Sequence, residues 1–371
     1  MANRYHVSDI LARFLPEYKQ HHGVSYQQAE SCQHIMDCQT AKLGIQQWQC
    51  NNCGYEQLHY CSCRDRHCPR CQGQKRQQWV ESQQAQVINT RYFHLVFTLP
   101  HELNVITQYA QTALYSALFQ AVWQTLDKFA HNRKRFKGQL GITMVLHTWG
   151  QTLSQHIHMH CLVPGGVLDA DNHWQSVKTD YLFPVKALSS VFKAKMLQAL
   201  RARNVSIPNA GILMASPWCV YSKACLTKPE TVIQYLSRYT QKGMLSEGRL
   251  QSVDAQNVTF LYRDYRQPNG LKLMTLTGVE FVRRYLSHIL PKGFMRVRHY
   301  GFLSNRCRRK KLSLIQQQTC CAKPIKEGVT SALSCCHWAC PKCKRGELTL
   351  VGMTLPSIHR ANKELVYRLS G

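Results

Sequence analysis

The sequence predicts an α+β protein, and three observations lead there. Runs rich in β-formers, Arg91-Tyr-Phe-His-Leu-Val-Phe-Thr-Leu99 and Gly141-Ile-Thr-Met-Val-Leu-His-Thr-Trp149, are interleaved with amphipathic stretches of helical period. The second of these runs is separated from the strand that begins at Gln155 by a loop of only five or six residues, which pairs the two as an antiparallel hairpin. The 18 cysteines are clustered, eight between Cys32 and Cys71 and seven between Cys307 and Cys343, so metal-bearing segments flank a central domain.

The N-terminal segment, to about residue 40, reads as helical, with Ile10, Leu11, Phe14 and Leu15 on one face. Cys50-Asn-Asn-Cys53 and Cys68-Pro-Arg-Cys71 then form two Cys-x-x-Cys pairs fourteen residues apart. Each pair points two sulfurs from a tight turn at one tetrahedral ion, so Cys50, Cys53, Cys68 and Cys71 are the expected zinc set. Cys38, His59, Cys61, Cys63 and His67 are left over, to serve a second zinc or replace a member of the first. Arg64, Arg66, Arg70, Lys75 and Arg76 interleave with these ligands and suggest contact with phosphate. Near the other end, Cys340-Pro-Lys-Cys343 resembles half a zinc ribbon, its partners ambiguous among Cys320, Cys321, Cys335, Cys336 and His337.

The central segment is organised around Gln155-His-Ile-His-Met-His-Cys-Leu-Val-Pro164. Side chains alternate faces along a strand, so His156, His158 and His160 share one face and Ile157, Met159, Cys161 and Val163 the other. Three imidazoles at that pitch can hold a metal ion. Helices are expected at about 102–130 and 187–203, and strands at about 257–264 and 271–276. Two capping boxes, Thr227-Lys-Pro-Glu230 and Thr277-Gly-Val-Glu280, open two more helices. The first of these carries Tyr235 and Tyr239, four apart and so on one face.

A net charge of +27, from 47 Lys plus Arg against 20 Asp plus Glu, favours a polyanionic partner. No apolar run is long enough to span a membrane, and the N-terminus lacks a signal peptide's apolar region, so a cytoplasmic location is expected. Seventeen tyrosines supply stacking faces that suit single-stranded nucleic acid better than lipid. A histidine-bound divalent ion can neutralise a scissile phosphate, and a tyrosine, once activated, can attack phosphorus and conserve the bond as phosphotyrosine.

These blocks together resemble the rolling-circle transposases of the insertion-sequence-ninety-one type, members of the histidine–hydrophobic–histidine (HUH) endonucleases with two tyrosines. The resemblance covers nearly the whole chain. It runs through Cys38-Gln-Thr-Ala-Lys-Leu-Gly44, Ser62-Cys-Arg-Asp-Arg-His-Cys-Pro-Arg-Cys-Gln72, Tyr92-Phe-His-Leu-Val-Phe-Thr-Leu-Pro-His-Glu102 and Thr148-Trp-Gly-Gln-Thr-Leu153. It continues in the histidine strand, in Tyr235-Leu-Ser-Arg-Tyr-Thr240, and in Leu290-Pro-Lys-Gly-Phe294 and Arg298-His-Tyr-Gly-Phe302. It implies a central antiparallel sheet of about five strands flanked by helices, with the histidine strand in the middle. It further implies that His158 and His160 bind Mg2+ or Mn2+, the third ligand being His156, Gln241 or a residue of another strand, while Zn2+ occupies the cysteine clusters. Tyr235 and Tyr239 are the implied nucleophiles, forming 5′-phosphotyrosine links with single-stranded DNA.

The expected layout is a helical and zinc-binding domain over 1–90, a catalytic domain over 91–300 and a basic region over 301–371. A plasmid relaxase or replication initiator with the same chemistry, and a catalytically inactive zinc-finger regulator, are the alternatives. A His-rich zinc hydrolase is disfavoured by the lack of acidic residues around the histidine strand.

Overall fold

The computed structural model describes residues 5–71, 87–132, 136–225, 243–265, 267, 270–319, 338–354 and 367–368. The helix expected to carry Tyr235 and Tyr239, together with Gln241, lies outside the described residues. So do Lys75, Arg76, Cys320, Cys321, Cys335, Cys336 and His337.

In chain order the described elements begin with helices α1 (Val7–His21) and α2 (Tyr26–Asp37) and strands β1 (Ile45–Cys50), β2 (Glu56–Tyr60) and β3 (Tyr92–Thr98). Helix α3 (Thr107–Ala130), strands β4 (Gly141–Trp149), β5 (Gln155–Pro164), β6 (Gly166–Leu168) and β7 (Trp174–Ser176), helix α4 (Val185–Arg201) and strand β8 (Val220–Cys225) follow. After them come β9 (Leu250–Val253), β10 (Asn257–Arg263), β11 (Leu271–Thr277), helix α5 (Gly278–Leu286), β12 (Val297–Gly301) and helix α6 (Arg308–Thr319). Strands β13 (Trp338–Ala339), β14 (Glu347–Thr354) and β15 (Tyr367–Arg368) close the chain. Among the described residues no helix is long and apolar enough to cross a membrane.

Packing divides the chain into two units, and their boundaries differ from the three consecutive domains expected at 1–90, 91–300 and 301–371. The first unit gathers Met1–Gln74, Gly243–Ile289 and Pro324–Gly371, and the second Lys75–Lys242 and Leu290–Lys323. The reason lies in helix α5, which buries Phe281, Val282, Tyr285 and Leu286 and packs against α1. Tyr285 Oη donates to the His67 carbonyl at 2.8 Å and Gln28 Nε2 to the Leu286 carbonyl at 3.0 Å, tying this late helix to the N-terminal segment. Thr277 opens α5 by accepting the Glu280 N–H at 3.3 Å. The Glu280 carboxylate turns to Arg283 and Arg284 instead of returning to the cap.

The second unit is built on the antiparallel sheet β12-β4-β5-β3-β8, with the histidine strand β5 in the centre as expected. Alternation gives it two chemically different faces. Ile157, Met159, Cys161 and Val163 of β5 join Phe93, Leu95 and Phe97 of β3 in a buried core that also takes in Leu118 and Val122 of α3 and Phe192 and Met196 of α4. The opposite face carries the imidazoles. Phe192 meets Phe97 edge-on at 5.0 Å and Trp218 at 5.4 Å, so it links α4 to the sheet. Replacing Phe192 with Ala is expected to destabilise this unit by about 3–5 kcal/mol, read as a lowered urea midpoint with an unchanged slope.

Candidate functional site

Three histidines converge on the polar face of the sheet: His147 of β4 with His158 and His160 of β5, their candidate ligand atoms all within 4.8 Å of one another. His147 sits directly opposite His158 in the β4–β5 ladder, and Val145 opposite His160. The ladder is not regular. Trp149 pairs with Gln155 and His147 with His158, so β5 spends one more residue than β4 across that interval, a bulge at His156–Ile157 facing Thr148. Without it His147 would stand opposite Ile157, on the core face.

One hydrogen bond sets a tautomer, and a second orients a neighbouring ring. His158 Nδ1 lies 2.7 Å from the His156 carbonyl, to which it can only donate, leaving Nε2 as the lone-pair nitrogen. His160 Nδ1 lies 2.9 Å from His94 Nε2 of β3, and the two rings stack 5.1 Å apart. With His160 as the donor to His94, His160 Nε2 is the lone-pair nitrogen, the support that metal-binding imidazoles commonly have. Burial pushes His158 and His94 down to about 4, and burial reinforced by the neighbouring His147 pushes His160 well below its ordinary value. The rings are therefore neutral at pH 7, the form that donates to a metal. His156, sequence candidate for the third ligand, is not in the triad. It is exposed, and it lines a cavity of about 350 Å3 with Thr98, Glu102, Asn104 and Gln155. His147 is a residue from another strand, one of the alternatives the sequence left open, while Gln241 lies outside the described residues. The signal for His147 was present, a histidine in the partner strand of the hairpin, but locating it needed the bulge.

The cysteines assemble differently from the expected single set of Cys50, Cys53, Cys68 and Cys71. The two Cys-x-x-Cys pairs belong to separate clusters: Cys38, Cys63, Cys68 and Cys71 in one, and Cys50, Cys53, Cys340 and Cys343 in the other. Cys38 and Cys63 lie 3.5 and 3.6 Å from the Cys71 sulfur, and Cys50–Cys343 and Cys53–Cys340 are each 3.7 Å apart. A tetrahedron with Zn–S bonds of about 2.3 Å has edges of about 3.8 Å, so both clusters fit zinc, and neither fits a disulfide. Backbone N–H groups support the thiolates, among them Asn52 on Cys50 at 3.4 Å and Gly346 on Cys343 at 3.3 Å. The second cluster forms because β1 pairs with both β2 and β14, which sets the two turns side by side. Gly346 sits so close to the Cys50 sulfur that a Cβ there would lie 2.5 Å from it.

His67, a candidate extra ligand, instead bonds Asp65, through its ring at 3.0 Å and its N–H at 2.7 Å. Cys61 and His59 belong to neither cluster. Arg70, read as a phosphate contact, is engaged internally: it donates to the Cys38 carbonyl and Ser8 and faces Glu247 at 3.6 Å.

Known proteins resemble this chain in sequence. A family model described as "Putative transposase" matches residues 141–311, and one described as a transposase zinc-binding domain matches residues 10–99. The chain is 35% identical over 375 residues to "Putative transposase y4qJ" of Sinorhizobium fredii (strain NBRC 101917 / NGR234), covering 93% of this chain and 94% of that protein. It is 28% identical over 299 residues to the "Transposase for insertion sequence element IS801" of Pseudomonas savastanoi pv. phaseolicola, covering 75% and 71% of the two. A solved conjugative relaxase, TrwC in complex with mutant OriT DNA, aligns over 60% of this chain and 72% of that one, at 14% identity and a TM-score of 0.26.

Two measurements test the sites. Metal analysis should find two zinc ions per chain, with Cys50→Ser and Cys71→Ser each removing one and the double variant both; two single variants that remove the same ion would restore the original grouping. At the histidines, His147→Ala is expected to weaken divalent-ion binding by at least about 10- to 100-fold, the scale already seen for losing a residue that only supports a metal ligand, and His156→Ala to leave titrations near wild type.

Proposed function

Because the chain belongs to the transposase family of the insertion-sequence-ninety-one type, we propose that it nicks single-stranded DNA at the ends of a mobile element and rejoins the strand elsewhere by HUH chemistry. The observation that carries this reading is the triad of imidazoles, His147, His158 and His160, on the polar face of a five-stranded antiparallel sheet. A divalent ion held there supplies charge neutralisation at the non-bridging oxygens of a phosphate. An all-nitrogen set suits Mn2+ or another transition ion better than Mg2+, which prefers oxygen ligands. His94 acts as a positioning residue, holding the His160 ring through their shared hydrogen bond.

Tyr235 and Tyr239 are the proposed nucleophiles. A tyrosine oxygen attacks phosphorus, the bond from phosphorus to the 3′-oxygen breaks, and a 5′-phosphotyrosine forms. The phenolic proton is lost and the departing 3′-oxygen gains one, so the step is neutral overall. An incoming 3′-hydroxyl reverses it, which rejoins the strand without an external energy source. Two tyrosines allow two cleaved ends to be held at once. The positive charge of the chain supports a DNA partner.

Incubating the protein with single-stranded DNA from an element terminus and Mn2+ should give a covalent adduct that survives denaturing gel electrophoresis, with Mg2+ less effective at equal concentration. The double replacement Tyr235→Phe with Tyr239→Phe should abolish it. DNA binding without an adduct under either ion would leave a regulator, and an adduct persisting in the double variant would place the nucleophile elsewhere.

A further inference from the structure

Two sequence blocks take no part in the metal site, Leu290-Pro-Lys-Gly-Phe294 and Arg298-His-Tyr-Gly-Phe302, yet they converge in the second unit. With Thr112 and Ser116 of α3 they line an open cavity of about 610 Å3 beside β12, the edge strand of the five-stranded sheet. That lies within the range of about 300–1,000 Å3 usual for sites that take a small molecule.

The cavity is built, not incidental. Phe294 N–H donates to the Pro291 carbonyl at 3.1 Å, and Gly293 at φ +72° occupies the third position of this turn, where a positive φ is required. The turn leaves Lys292 exposed and drives Phe294 into the core. The Arg298 guanidinium lies over two rings, 4.2 Å from the centroid of Phe119 and 4.9 Å from that of Phe294, and its Nε donates to the Met295 carbonyl at 3.3 Å. The ring contacts hold the cation in place before any ligand arrives. Among the described residues no carboxylate lines the cavity, whose cations are Lys292 and Arg298. Tyr300, stacked on Trp123 at 5.4 Å, adds a further aromatic wall.

The cavity lies at an edge of the sheet that also carries the histidine triad. Strand β12 pairs directly with β4, placing Val297 opposite Val145, two residues from His147. Alternation turns Val297 and His299 toward the histidine face, where His299 Nδ1 meets Thr143 Oγ1 at 3.0 Å, and turns Arg298 and Tyr300 toward α3.

We propose that the cavity binds one unpaired nucleotide of a single DNA strand, the base against Arg298 and Tyr300 and a flanking phosphate on Lys292. Aromatic and guanidinium faces combined with fixed cations are the means by which proteins hold unpaired bases without reading a duplex. The proposal rests on the nickase reading only in taking single-stranded DNA as the substrate.

Anisotropy with a labelled oligothymidylate of about 20 nucleotides, long enough for any site of this kind, and with an abasic strand of equal length tests it without added divalent ion. The full-length wild type should bind oligothymidylate at least about tenfold more tightly than the abasic strand, the sign of base stacking. Ser116→Trp, which fills the cavity, should erase most of that preference. Lys292→Glu, on the exposed turn, should weaken both probes by a similar factor. Photocrosslinking of the wild type to the same oligomer carrying 5-iodouracil should label the peptide spanning 291–300. Unchanged affinity and preference in both variants, or crosslinks confined to other peptides, would overturn the proposal. If the variants behave as expected while no tyrosine adduct forms, the nucleotide site stands and the nickase reading fails. If adducts form while the variants bind as wild type, the reverse holds.

Discussion

One surplus residue in strand β5 decides what the central sheet can do. A strand presents alternate side chains to opposite faces, so a shift of one residue exchanges an entire set. Across the β4–β5 hairpin the bulge at His156–Ile157 supplies that shift, and it brings His147 to the side of His158 and His160. The same bulge takes His156 out of the regular ladder and leaves its carbonyl to hold the His158 ring. A local irregularity thereby assembles the triad, excludes the fourth histidine and fixes one tautomer.

Much of this architecture was legible in the amino-acid order, because its causes are local. Alternating His and apolar residues specify a two-faced strand wherever they occur, and a loop of five or six residues permits only an antiparallel neighbour. The strands at 141–149, 257–264 and 271–276 and the helix opened by Thr277 appear where those patterns put them. The partner of each cysteine pair was not legible. Cys-x-x-Cys describes a turn and says nothing of which second turn completes the tetrahedron. Spacing favoured Cys68 and Cys71 as the mates of Cys50 and Cys53, yet strand pairing between β1 and β14 delivers Cys340 and Cys343 from the far end of the sequence. Charge patterning misled in a similar way at Arg70, whose guanidinium serves the fold.

The two zinc-fitting clusters do different mechanical work in the first unit. Cys38, Cys63, Cys68 and Cys71 lie within one stretch of chain and tie the end of α2 to the segment that follows β2. The other cluster closes a loop that spans most of the protein. Loop-closure entropy grows only logarithmically with length, so a clip between such distant turns costs little more than one between near neighbours. Metal affinity at that clip is also folding free energy for the β1–β14 pairing. The histidine triad sits in the other unit, so loss of either cysteine cluster and loss of the triad are separable defects.

The ribbon closed by Cys340 and Cys343 has a consequence for the order of events during synthesis. Strand β1 leaves the ribosome long before β14 exists, and at roughly 5–20 residues per second the wait lasts on the order of 15–60 s. Throughout that interval the turn at Cys50 and Cys53 has half of its ligand set. A message cut short, or translation halted, after His160 but before Cys340 thus yields a polypeptide that owns every histidine of the triad yet can never complete this ribbon. Its integrity certifies that the chain has been read past Cys343.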